Sequence, residues 1–131
     1  MRIFIALIVI AFALVSCSKK SGSDAKTADG PTKAKVVFVE LGSTNCVPCR
    51  QMQDVMKKIE AKYADQIEVR FIDVNKDRSK ANEYKIQLIP TQVFLDSAGV
   101  EFHRHEGFYP EEEIDKLLAD KGLKQIGGTA N

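Results

Sequence analysis

The chain has 131 residues, three cysteines, no tryptophan, 44% apolar residues and a formal net charge of +1. That length holds one domain, and 19 basic against 18 acidic residues exclude both the positive field of a nucleic-acid binder and a polybasic membrane patch. Three cysteines are too few for a disulfide-dense scaffold and leave an odd thiol to explain.

Residues Ile3 to Val15 form thirteen consecutive apolar residues behind one positive charge, Arg2. A membrane-crossing helix needs ~20 apolar residues, so the run suits the apolar core of a signal peptide. A core helix with no polar face would need protein on every side, and the following residues are polar. Leu14-Val15-Ser16-Cys17 ends the run and resembles the bacterial lipobox. That resemblance implies removal of residues 1–16, lipidation of Cys17, and export. The product is a lipoprotein anchored to a membrane through its lipid, with its domain in the periplasm or otherwise outside the cytoplasmic membrane. An uncleaved anchor and a plain secreted protein are the alternatives.

Ser18 to Lys33 contains no aromatic and no branched aliphatic residue, so residues 17–34 read as the lipidated cysteine and a flexible linker. Sixteen linker residues at ~5–6 Å × √n span about 20–24 Å. From Lys35 the pattern turns globular. Residues 35–41 are a nearly continuous apolar run, which marks a strand covered on both faces. Cys49, Met52, Met56, Ile59 and Tyr63 recur at helical spacing, predicting one face of a helix that ends near Ala64. Ile67, Val69 and Phe71 alternate as a second strand, and Asp77 to Tyr84 reads as a short helix. Gln92 to Leu95 is a third strand, Asp96 to Gly99 a hairpin turn, and Val100 to His105 the returning strand. Pro110 opens a last helix, three glutamates suit its first turn, Ile114, Leu117 and Leu118 give its buried face, and Gly122 stops it. The domain is thus expected over 35–122, with 123–131 as a flexible tail. Lys57, Lys58 and Glu111 to Glu113 read as solvated charge.

Cys46-Val47-Pro48-Cys49 lies where the first strand hands over to the long helix. This spacing sets two sulfurs one helical turn apart. The first meets the unpaired N–H groups and positive dipole of the helix start, which favour a thiolate and make Cys46 the nucleophile. Cys49, one turn inside, is sheltered and acts second. Pro48 fits the first turn, where its missing N–H costs nothing.

Asn45-Cys-Val-Pro-Cys-Arg50, with Ile89-Pro90-Thr91 about forty residues later, resembles the thioredoxin superfamily over roughly Lys35 to Lys121. The resemblance implies an α/β thioredoxin fold in its short form, β-α-β-α-β-β-α, a three-layer sandwich around a central mixed sheet. It implies a cis peptide before Pro90, with Pro90 against the cysteines and the Ile89 backbone pairing with a substrate strand. Substrate contacts then fall on Val47, Pro48, Ile89, Pro90, Thr91 and Gly107. Glu40 matches the buried carboxylate, usually Asp, that takes the second cysteine's proton; a solvated strand end is the other reading. Three departures stand out. Asn45 replaces the usual tryptophan, the lysine that accompanies the carboxylate would align near Val69, and the first strand and helix of full-length members have no counterpart. The Cys-Val-x-Cys pair and the Phe94-Leu-Asp-x-x-Gly99 hairpin followed by Gly107-Phe108 are similar to the extracytoplasmic domains of membrane disulfide reductases and of cytochrome c maturation.

Other readings of the pair are a structural disulfide, although a four-residue loop constrains little chain entropy, and half a zinc site completed by His103 and His105. Haem attachment would need histidine after Cys49, where Arg50 stands. The resulting expectation is a monomeric thiol–disulfide oxidoreductase with no metal and no organic cofactor, acting on protein disulfides. It would work as a reductase fed by a membrane-embedded thiol carrier. Oxidase or isomerase activity, and a redox-inert binding lipoprotein on the same scaffold, are the alternatives.

Overall fold

The computed structural model describes residues 32–126. The expected signal peptide, Cys17 and the linker up to residue 31 lie outside the described residues, as do residues 127–131. The elements run β1 (Val36–Gly42), α1 (Val47–Tyr63), β2 (Ile67–Asp73), α2 (Arg78–Glu83), β3 (Thr91–Asp96), β4 (Glu101–Glu106) and α3 (Glu111–Asp120), with a 3-10 turn at Ala64–Gln66. This is the order expected from the sequence.

The four strands form one mixed sheet in the order β2-β1-β3-β4, with β1 parallel to β2 and antiparallel to β3. β1 is central and all seven of its residues are buried. Its alternation feeds two cores. Val36 and Phe38 point with Phe94 toward α1 and α3, whereas Val37, Val39 and Leu41 join Val93, Leu95 and Tyr84 beyond α2 on the opposite side. Helices on both sides of a mixed sheet make the three-layer α/β sandwich. Phe38 stacks on Phe94 with ring centroids 4.6 Å apart, locking the two central strands together. β4 is an edge strand carrying Glu101, Arg104 and Glu106, and such charge discourages further strand pairing.

The helical spacing read from the sequence is the buried face of α1: Cys49, Met52, Met56, Ile59 and Tyr63, together with Val55. At the far end of α1, Lys62 pairs with both Glu111 and Asp115 of α3, Lys58 reaches Glu111 at 3.1 Å, and the Tyr63 hydroxyl donates to Asp115 at 3.0 Å. Glu111 and Lys58 are therefore not simply solvated charge; they help to clamp one helix to the other.

Both domain boundaries extend past their expected places. Ala34 is already buried and the Thr32 hydroxyl donates to Glu68, so the linker reading stops short of residue 32. At the other end, Leu123 is buried in the α1–α3 core. Gln66 bonds the backbone of Lys124 in both directions, and the Ile126 N–H donates to the Lys62 carbonyl at 2.7 Å. Residues 123–126 are thus a docked strap, not a tail. A single leucine after Gly122 gave no periodicity from which to read that.

Removing the central stack should expose how much rests on it. Phe38→Ala is expected to lower stability by about 3–5 kcal/mol, read from urea denaturation of the disulfide form. A loss below about 1 kcal/mol would show that Phe38 is not the hub of the α1–α3 core.

Candidate active site

One end of the sheet gathers the candidate residues. The C-terminus of β1, the N-terminus of β3 and the C-terminus of β4 meet there, with Leu41 opposite Thr91 and Thr91 opposite Glu106. β1 therefore delivers the Cys46 turn, β3 begins directly after Pro90, and β4 delivers Gly107 to a common edge.

Cys46 is the N-cap of α1, held extended at φ −94° and ψ 124°, and its sulfur accepts the Cys49 N–H at 3.2 Å. The arrangement anticipated from the spacing is present: an N–H of the helix start points at the outer sulfur, and 17 residues of helix dipole lie behind it. Cys46 and Cys49 are joined as a disulfide with their Cα atoms 5.2 Å apart. Cys46 is partly exposed and Cys49 is 1% exposed, so an incoming sulfur meets Cys46 first. Gly42 explains how Cys49 fits so close to the sheet. A Cβ at Gly42 would lie 3.2 Å from both Cβ and Sγ of Cys49, a tighter approach than side chains ordinarily tolerate.

Glu40 shares a face of β1 with Phe38 and Gly42, beneath α1, and is fully buried. The solvated reading is excluded. Its Oε2 accepts a hydrogen bond from Gln92 Nε2 at 2.9 Å, and its Oε1 has no partner. Burial lifts the carboxyl pKa from an ordinary 4.5 to about 8, and the Gln92 hydrogen bond offsets only part of that rise. At neutral pH the buried carboxyl therefore holds its proton. Val69, where the usual lysine would align, stands opposite Phe38 instead, and the place beside Glu40 on β2 is taken by Phe71.

The Ile89-Pro90 peptide is cis. Gly107, at φ +91° in the left-handed region that suits glycine, donates its N–H to the Pro90 carbonyl at 2.8 Å. Thr91 is buried and its hydroxyl donates to the Leu88 carbonyl at 2.7 Å, so its side chain shapes the loop and is closed to outside contact. Val47 is 57% exposed, and Leu88 and Phe108 are nearly as open at 46% and 44%. Leu88 was not singled out from the sequence, and Phe108 entered only as part of the resemblance, without a role. Their signal was faint, namely large apolar residues adjoining Pro90 and Gly107 with no place in a periodic face.

His103 and His105 are held by the loop after β4, and His105 Nε2 meets the Phe108 carbonyl at 3.2 Å. Tyr109 stacks on the His105 ring at 4.1 Å, and its hydroxyl meets His103 Nε2 at 3.2 Å. Among the described residues no three His, Cys, Asp or Glu side chains group as metal ligands, and no helix is long and apolar enough to cross a membrane.

Residues 22–122 match the family model of the thioredoxin-like domain. The chain is 35% identical over 80 residues to chloroplastic thioredoxin Y of Oryza sativa subsp. japonica, covering 61% of this chain and 47%, about half, of the rice protein. It is 31% identical over 96 residues to thioredoxin of Staphylococcus aureus, covering 72% of this chain and 89% of that one. Among solved structures it superposes on the germline-specific thioredoxin Deadhead of the fruit fly Drosophila melanogaster with a TM-score of 0.60 and 28% identity, over 66% of this chain and 80% of that one.

The buried carboxyl makes stability depend on pH. Below about pH 4.5 Glu40 is neutral whether folded or unfolded, and its stabilising neutrality is fully present. As pH rises the unfolded carboxyl ionises first, so stability falls until the folded group ionises near pH 8. The slope from this group reaches about 1.4 kcal/mol per pH unit. Urea midpoints of the disulfide form between pH 5 and 9 should show that decline, and Glu40→Gln should flatten it. Equal slopes in both proteins would mean that Glu40 ionises normally.

Proposed function

The chain belongs to the thioredoxin-like family and is a thiol–disulfide oxidoreductase; from that premise we propose that it is an exported reductase of protein disulfides, held at a membrane by a lipid on Cys17. The observation that carries the chemistry is the Cys46–Cys49 pair capping α1, with one sulfur open and the other sheltered.

In the reducing direction the Cys46 thiolate attacks one sulfur of a substrate disulfide. A Cys46–substrate bond forms, the substrate bond breaks, and the other substrate sulfur leaves as a thiolate. The N–H of Cys49 and the helix dipole favour the attacking anion. In the fraction of molecules whose Glu40 is ionised, Cys49 gives its proton to that carboxylate and attacks the Cys46 sulfur of the mixed disulfide. The Cys46–Cys49 bond closes and the second substrate thiolate departs. A Glu40 pKa of about 8 in the disulfide form suits this order, because after the reaction the carboxyl retains the proton it has taken. Two electrons pass from the pair to the substrate, and no organic cofactor or metal takes part.

The rim formed by Val47, Pro48, Leu88, Ile89, Pro90, Gly107 and Phe108 receives the substrate. Pro90 is buried within it, and the exposed apolar side chains of Val47, Leu88 and Phe108 suit an extended, partly unfolded segment around a disulfide. A membrane-embedded thiol carrier regenerates the pair, and tethering keeps the domain within its reach. The lipobox-like Leu14-Val15-Ser16-Cys17 and the Val-Pro dipeptide support export and reduction respectively. Apocytochrome c is one substrate that fits the resemblance to cytochrome c maturation domains. The domain acts as a monomer.

Cys49→Ala should accumulate mixed disulfides through Cys46, and Cys46→Ala should accumulate none, as read on non-reducing gels. No trapped species with Cys49→Ala would favour a redox-inert binding module. The wild-type reduction potential is expected nearer ~−270 mV than ~−120 mV; the opposite result would make the protein an oxidase. Glu40→Gln should slow reduction of a protein disulfide at pH 7 on the order of 10²-fold.

A further inference from the structure

Gln92 is a polar residue in the middle of a buried apolar strand, and it is 0% exposed. Its position follows from register: Glu40 on β1 stands opposite Gln92 on β3, and Gln92 stands opposite His105 on β4. Its Nε2 lies 2.9 Å from Glu40 Oε2 and 3.0 Å from the Gly107 carbonyl oxygen. The Gly107 carbonyl only accepts, so the amide atom between these two oxygens is the donor, and its two hydrogens are both used. Gln92 Oε1 has no partner among the described residues. The amide is therefore held through its nitrogen alone, between a buried acid and a loop. Gly107 in turn donates to the Pro90 carbonyl at 2.8 Å.

We propose that Gln92 is a positioning residue whose amide ties the protonation state of Glu40 to the Gly107 carbonyl, and through the Gly107–Pro90 hydrogen bond to the substrate rim. When Glu40 loses its proton, the bond from Gln92 becomes charge-assisted and roughly twice as strong. Nε2 is drawn toward β1, and its hold on Gly107 loosens. With Oε1 unpaired, the bond to the Gly107 carbonyl is what the movement works against among the described residues. The rim thus senses whether the acid that serves Cys49 is loaded. Its catalytic meaning rests on the relay reading above, but the coupling itself does not.

The groups around Glu40 limit the alternatives. α1 brings Cys49 and Met52, β2 brings Val69 and Phe71, and α3 brings Ile114 and Leu118 to this side of the sheet. The titratable groups are Cys49, Tyr109 after β4, and His103 and His105 on β4, and His105 Nε2 lies 3.2 Å from the Phe108 carbonyl, so the loop also senses that ring. In the disulfide form Cys49 does not titrate.

The test follows the Phe108 amide and the Gly107 carbonyl by NMR in the disulfide form from pH 5 to 10, alongside the Glu40 side-chain carbon. In the wild type, the loop signals should move with the same midpoint as Glu40. In Gln92→Leu the loop transition should vanish while Glu40 still titrates, with its midpoint shifted upward. Gln92→Met, closer in length, serves if the leucine variant does not fold. Glu40→Gln, which keeps both histidines, should also abolish the loop transition. Wild-type loop signals with no transition matching that of Glu40, a loop transition that still follows Glu40 in Gln92→Leu, or one that persists at the wild-type Glu40 midpoint in Glu40→Gln would overturn the proposal; the wild-type arm needs no variant. Because this form has no Cys49 proton to exchange, failure of the relay would appear separately, as an unchanged disulfide-reduction rate in Glu40→Gln.

Discussion

A strand with protein on both faces leaves every polar group on it to be satisfied from within, and β1 is such a strand. It carries a carboxyl, Glu40, near its C-terminal end. Glu40 is 0% exposed, so burial favours its neutral form, and among the described residues its hydrogen bond comes from the residue directly across the antiparallel ladder. The same constraint sets the next position but one. Gly42 has no side chain because Cys49 occupies the space where one would be. One buried strand thus supplies an acid and a gap, and the start of the helix that follows supplies both sulfurs.

Stability and reactivity are separated along α1. Its C-terminal end is clamped to α3 by Lys58, Lys62 and Tyr63 and covered by residues 123–126. Exposed ion pairs contribute little individually. Here they sit over the apolar contacts of Ile59, Ile114 and Leu118, which carry most of the packing. Its N-terminal end is left open, where Cys46 and Val47 face outward. A helix fixed at one end can present a reactive pair at the other without the pair having to contribute to the core.

The elements were legible because each repeats a pattern. The apolar run of β1, the helical spacing of Cys49 to Tyr63 and the glutamates after Pro110 all lie where the rules for strands, helix faces and helix starts put them. The cysteines were legible because spacing alone makes their chemistry. Gln92 was not, since its importance is a matter of register across two strands rather than of neighbours in sequence. The value of Glu40 depended on depth of burial, which a strand-end glutamate does not announce. Leu88 escaped notice, and Phe108 was given no contact role, because an exposed apolar side chain has no period. Leu123 and Ile126 escaped because they dock as isolated residues on a helix end.

The chain also enters its domain at a particular pole. Thr32 and Ala34 pack beside Glu68 and Gln66 at the start of β1, whereas Cys46 follows its end. Seven strand residues at ~3.3 Å each separate the two poles by about 20 Å. Thr32 and the partly exposed Cys46 therefore stand at opposite ends of β1. A partner that reaches Cys46 at one pole leaves Thr32 and Ala34 at the other untouched, so the entry of the chain into its domain and its working point do not share a surface.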